Sequence, residues 1–392
     1  MATKIAAPGI ELVDPTVQSD RRVTALELFF DLVFVFAITQ LTGYVSHDPT
    51  WTRLIEALAI LAALWWVWSA YAWLGNRTAA DEGAVRVVLF AAMGGMLVVS
   101  LAVPTAFGDG ALAFGIGYFV VRVLHLGAYT IVSRDDPELR QVVGRLARSI
   151  LPAALMLLAA GFVEGTARTV LWAAAIAVDY GGLMASGTSG WHVQAAHFSE
   201  RHGLVIIVAL GESIVSLGVG ANGLGLGAGV IIGALLGGAV AAAMWWAYFD
   251  VVALVAERRL RRLDDVSRSR TARDSYTYLH LPMVAGIILF AVGVKKTLGH
   301  VGDELEVVPA VCMCCGVALY LLALSTFKRR NIGSFNYPRL VAAAALAAFT
   351  AVAVHISAIA ALAVVAAISC GLIAYEVFHY AAARDRIRHM ET

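Results

Sequence analysis

Twelve apolar runs, each near the length needed to cross a bilayer, follow one another along this chain, and they leave few folds open. About 20 apolar residues in a helix span a hydrocarbon core. Inside that core each backbone N–H and C=O needs a partner, which a helix supplies within the segment. The runs are 25–45, 53–74, 84–104, 111–132, 145–164, 168–185, 202–220, 226–255, 275–295, 306–327, 338–355 and 357–381. The expected fold class is an all-α polytopic membrane protein with about 12 transmembrane helices. Only 15% of the residues are charged, against about 25% in soluble domains, and mean hydropathy is +0.78. Residues 340–375 lack a polar loop, so a tight turn is placed at His355–Ser357. Segment 6 is short enough to be partly re-entrant.

The loop charges test this count. With the N-terminus inside, 24 of the 29 Lys and Arg residues fall on the cytoplasmic side and four, Arg53, Arg168, Lys295 and Lys296, fall outside. Arg122 alone is left within a span. Such a bias in short loops orients helical membrane proteins, and here it gives N-in and C-in. The polar residues ahead of segment 1 lead to the expectation of no cleavable signal sequence.

A duplication is also visible. Trp65-Trp66 recurs as Trp245-Trp246, Asp31 has a counterpart in Glu212, and Arg145-Leu146 in Arg339-Leu340. These matches predict two six-helix halves of the same orientation, over 25–185 and 202–381, as in parallel-repeat transporters. A connector covers 186–201, and cytoplasmic tails cover 1–24 and 382–392.

The chemistry-bearing residues are few. Glu27 and Asp31 are four apart at the head of segment 1, so they share one helix face. Glu212 and Arg122 fall near mid-span, and His280 lies in the cytoplasmic half. Ionisable groups at that depth are costly without partners or water, and they mark candidate pathways. Glu27, Asp31, Arg122, Glu212 and His280 form the expected cation- or proton-coupling set. Asp179, His197, Glu200 and Arg201 are secondary. Against this stands plain ion pairing, Arg122 with Asp31 or Glu212 and Arg201 with Glu27, which fixes helix register and nothing more. Asp250, Glu376, His379 and Glu56 are expected at interfacial water, and His355 at the outer turn. The His197–Glu200 spacing lacks the second copy that helical carboxylate metal sites need, so no metal or cofactor is expected. The tryptophan groups of segments 2 and 8 read as interfacial belts. Cys312, Cys314, Cys315 and Cys370 lack zinc spacing and read as small buried residues. No nucleotide-binding motif is present, and nucleic acid is not an expected partner. The basic loop 257–273 is expected to touch anionic lipid. A homo-oligomer is left open.

With these residues in hand, the chain resembles the bacterial low temperature requirement protein A family. The resemblance rests on Leu26-Glu27-Leu28-Phe29-Phe30-Asp31-Leu32-Val33-Phe34-Val35-Phe36-Ala37, on Glu200-Arg201 through Leu210-Gly211-Glu212-Ser213, and on His280-Leu281-Pro282-Met283-Val284-Ala285-Gly286. It implies a multi-pass inner-membrane protein linked by name to growth in the cold, and it carries no substrate and no residue role. Segment 1 is also faintly similar to the Phe-Ser-Asp first helix of the endolysosomal potassium channels, and departs from it at the serine. The expected function is ion-coupled secondary transport of a small solute, not an enzyme activity. Asp31 and Glu212 would be coupling carboxylates at the half–half interface. The alternatives are a cation channel passing H+, Na+ or K+, and a non-transporting protein acting through lipid or a partner. The transport reading expects Asp31→Asn and Glu212→Gln to fold normally and lose flux. The ion-pair reading expects both to melt early in detergent.

Overall fold

The computed structural model describes residues 22–78, 83–222, 225 and 227–389. The N-terminal tail to residue 21, and residues 390–392 of the C-terminal one, lie outside the described residues. The chain is an integral, multi-pass, all-α protein. Eleven helices among the described residues are long and apolar enough to cross a membrane. The remaining apolar run forms a shorter helix, so the count stands near twelve.

In chain order the helices are α1 (Ala25–His47), α2 (Trp51–Arg77), α3 (Gly83–Ala102), α4 (Ala111–Val132), α5 (Pro137–Ala160), α6 (Gly165–Ser186) and α7 (Ala195–Gly220). There follow α8 (Ala228–Phe249), α9 (Val252–Arg262), α10 (Asp265–Thr271), α11 (His280–Gly299), α12 (Val307–Ile332), α13 (Tyr337–Ala353), α14 (Ala358–His379) and α15 (Ala381–His389). The turn between α13 and α14 covers 354–357, with His355 exposed, as the sequence predicts.

Four expectations change, each for a local reason. α6 is continuous over 22 residues, so segment 6 is not re-entrant. α5 starts at Pro137, ahead of Arg145, because Asp136 accepts a hydrogen bond from Leu139 N at 2.9 Å and proline suits the first helical position. The connector expected over 186–201 is already helical from Ala195. The basic loop 257–273 is mostly helix, α9 and α10, the latter capped by Asp264. Beyond α10 the chain widens into a π-helical turn, Ala272–Tyr278.

Contacts divide the chain into two units. The first takes residues to Leu41, Ala59–Arg201 and Leu263–Ala272. Within it α3, α4, α5 and α6 pack in sequence order. The second takes Thr42–Leu58, His202–Arg262 and the chain from Arg273 on. Its densest pairing is α11 against α12, with α13 beside α12 and α14 beside α8.

Small residues set the α11–α12 distance, as they do wherever packing replaces a hydrophobic driving force between helices in lipid. A Cβ added at Gly293 would lie 2.6 Å from Met313 N, and one at Gly286 would lie 2.5 Å from Gly316 O. Gly293→Val should therefore lower the detergent melting temperature, at a cost of about 1–3 kcal/mol or more from overpacking. Gly94→Ala, with nothing within 4 Å of the new methyl, should leave it unchanged. Equal melting of both variants would contradict this packing.

Candidate functional site

In the first unit, α1 and the start of α7 face each other through two rungs. α1 begins with a reciprocal capping box: Glu27 Oε2 accepts from Thr24 N and Oγ1 at 2.9 and 3.0 Å, and Thr24 Oγ1 accepts from Glu27 N at 3.3 Å. Its carboxylate also lies 3.1 Å from His197 Nε2. Asn76 fixes that imidazole. Its own amide is oriented by Gln194, accepting from the backbone N–H and donating to the C=O, and Nδ2 approaches His197 Nδ1 at 3.4 Å. In this arrangement the Nε2–H of His197 donates to the Glu27 carboxylate.

The second rung is charged. Arg201 Nη1 and Nη2 donate to Asp31 Oδ2 and Oδ1 at 2.7 and 2.9 Å, and Trp68 Nε1 donates to Oδ1 at 2.9 Å. Nη1 also donates to the Glu27 carbonyl at 3.1 Å. Both rungs span 170 residues, so acids four apart on α1 meet bases four apart on α7 and the two helices run parallel. A cavity of about 10 Å³ touches Glu27, Tyr71, Gly75 and Arg201, near the volume of a single water. Gly75 permits this approach, since a Cβ there would land on the Glu27 carboxylate.

Deeper in the same unit, Arg122 of α4 pairs with Asp179 of α6 at 2.7 Å, and Tyr118 OH donates to Asp179 at 3.2 Å. Arg122 therefore meets neither Asp31 nor Glu212, and Arg201 pairs with Asp31 rather than with the Glu27 carboxylate. The segment-2 tryptophans form no interfacial belt: Trp65, Trp66, Trp68 and Trp73 are buried, because Trp68 donates to Asp31 and the other rings pack against Trp68, Tyr180, Trp191 and Phe198. Trp245 and Trp246 remain exposed. Glu200 is exposed and accepts from Val23 N at 3.2 Å.

The second unit holds Glu212, 1% exposed. Its Oε1 accepts from Thr42 Oγ1 at 2.5 Å and from Ser216 Oγ at 3.0 Å. His280, in the same unit, meets no carboxylate. Its Nδ1 donates to the Ser275 carbonyl at 3.2 Å, an acceptor left accessible by the π-helical turn, and its Nε2 accepts from Tyr248 OH at 2.8 Å. Stacking on Tyr276 and edge contacts with His202 and Phe327 complete the pocket. His280 is a neutral aromatic core residue. Glu376 and Asp250, expected at interfacial water, are paired: Glu376 takes two bonds from Arg339 at 2.8 Å each, and Asp250 meets Arg384 and Arg388. Glu56 is half-buried and accepts from Tyr44 OH. Cys312 and Cys314 are buried, while Cys370 is exposed.

Sequence reasoning passes over Thr24, Thr42, Asn76, Tyr118 and Ser216, and reads Trp68 only as part of an interfacial belt. Thr24-x-x-Glu27 is a legible capping signal. Nothing in the spacing marks Thr42, Trp68, Asn76 and Tyr118, which act on partners distant in sequence, while Ser216 lies one helical turn after Glu212.

The family model described as bacterial low temperature requirement A protein matches residues 22–374. An uncharacterized protein of Rhizobium meliloti (strain 1021) is 32% identical over 285 residues, covering 70% of this chain and 69% of that protein. No solved structure matches.

The Asp31–Arg201 rung makes a sharp prediction. Asp31→Asn or Arg201→Met alone should cost about 3–5 kcal/mol, because each leaves a buried charge without its partner. The double variant Asp31→Leu/Arg201→Met should recover much of that loss in detergent melts. Simple additivity of the single losses would show that the two side chains are not energetically coupled.

Proposed function

The chain belongs to the bacterial low temperature requirement A family, and we propose that this membrane protein is a cation-coupled secondary transporter with Glu212 as the coupling carboxylate. The observation that carries the reading is the contrast between two buried acids. Asp31 is surrounded by arginine and indole N–H groups, which donate and cannot accept. A proton on Asp31 would oppose those donors, so Asp31 acts as a lock. Glu212 is bonded by the hydroxyls of Thr42 and Ser216, which both donate and accept. A hydroxyl can donate to the ionised acid and, after rotation, accept from the protonated one. Both protonation states are then satisfied without moving the backbone. The same oxygens are hard ligands suited to Na+ or K+.

Glu27, Asp31, His197 and Arg201 hold α1 against α7 in this account, and Arg122 and Asp179 tie α4 to α6. Parallel α1 and α7 support two six-helix halves of one orientation, and the loop charges favour an N-in, C-in protein of the inner membrane.

Proteoliposomes with an interior pH dye and imposed H+, Na+ or K+ gradients test the reading. Wild type should respond to at least one gradient. Glu212→Gln should lose the response while melting within a few degrees of wild type. Intact flux in a folded Glu212→Gln variant would remove Glu212 from the coupling path. Silence of the wild type under all three gradients would turn the reading toward a non-transporting role.

A further inference from the structure

One cavity of the second unit has no part in the proposed transport chemistry. It is an open cleft of about 1030 Å³ between α8, α12, α13, α14 and α15, at the upper end of the range for small-molecule sites. Its inner wall is apolar, with Val341, Ala342, Ala345, Ile368 and Leu372 along α13 and α14. Its mouth is aromatic, and Trp246, Phe335, Tyr337, Tyr375 and Tyr380 are all exposed there. Exposed rings of this kind gather at the level of lipid headgroups.

The charges in the cleft are not balanced. Asp250 and Glu376 are both engaged, by Arg384 and Arg339 respectively. Arg339 is 5% exposed, and its Nη1 has no hydrogen-bond partner. Lys328, on the same cleft, has no acid within salt-bridge distance among the described residues. Two cationic groups therefore line one cleft, and one of them holds an unpartnered N–H just beneath its surface. The first turn of α13, at Tyr337 and Pro338, also borders it, and the partial positive charge of a helix N-terminus adds to the same field. α13 is only 17 residues long, about 26 Å at 1.5 Å per residue. It falls short of a hydrocarbon core of about 30 Å, so a headgroup can reach the level of Arg339.

We propose that this cleft is a binding site for an anionic phospholipid, with the phosphate on Lys328 and Arg339 and an acyl chain along the apolar faces of α13 and α14. The shape and the charge belong together. An apolar trough explains a chain, and cationic groups at its mouth explain a negative head.

Detergent melts of the full-length protein test this, with phosphatidylglycerol, phosphatidylcholine or inorganic phosphate added at equal phosphate concentration. Phosphatidylglycerol should raise the melting temperature more than phosphatidylcholine does. Lys328→Gln should weaken its apparent affinity about tenfold or more, the effect of one lost charge-assisted contact. Ala345→Phe, which fills the trough from an exposed position without touching an ion pair, should also remove the lipid-specific increment. Both variants should melt like wild type in detergent alone. Equal shifts with the two lipids, no shift with either, or a full phosphatidylglycerol effect in both variants would overturn the proposal. A shift reproduced by inorganic phosphate alone would overturn it too, since the site would then read free phosphate rather than lipid.

Discussion

The buried pairing of Asp31 with Arg201 is the interaction on which the first unit depends. A carboxylate and a guanidinium inside an apolar bundle are each costly to desolvate, and their attraction offsets that cost only when the geometry is good and the remaining polar atoms are met. Here the pair is bidentate, a further donor comes from Trp68, and a third arginine bond reaches the Glu27 carbonyl. The rung fixes both the separation and the register of α1 and α7. The Glu27–His197 rung one turn away repeats the register. A slip of one residue on either helix would break both at once.

This arrangement also explains the aromatic density of α2. Trp68 supplies an N–H to Asp31, and Trp66 stacks on Tyr180 beside Asp179 at 4.0 Å between ring centroids. Indoles combine a large apolar face with one donor, so they can line an ion pair without adding an acceptor that would need its own partner. Tyr71 and Tyr118 do the same with hydroxyls, on Val121 O and Asp179. The aromatic run of α2 is therefore internal.

Glu212 and His280 show two other ways to bury a titratable group. His280 is satisfied on both nitrogens as a neutral ring, and the π-helical turn before it provides one of those partners. Glu212 is satisfied by hydroxyls, whose rotors adapt to either protonation state. A family tie alone assigns neither role. The distinction comes from the donor set around each group.

The sequence by itself determined the class, the number of crossings to within one, and which residues carry charge into the bilayer. Those follow from apolar run length and from the cost of an ionised group in hydrocarbon, both local properties of the chain. It also showed that Glu27 and Asp31 share a helix face, and the turn at 354–357 was legible because His355 to Ser357 interrupt an otherwise apolar stretch. Only the tertiary structure decided the partners. Arg122 chose Asp179, Arg201 chose Asp31, and Glu376 chose Arg339. Such choices depend on which helix faces meet and at what height, and segments of similar Ala- and Leu-rich composition do not encode that in their own spacing. Tertiary contact also separated an acid held by N–H donors from one held by hydroxyls, because Thr42 meets Glu212 only across 170 residues of chain, whereas Ser216 sits one turn on in the same helix.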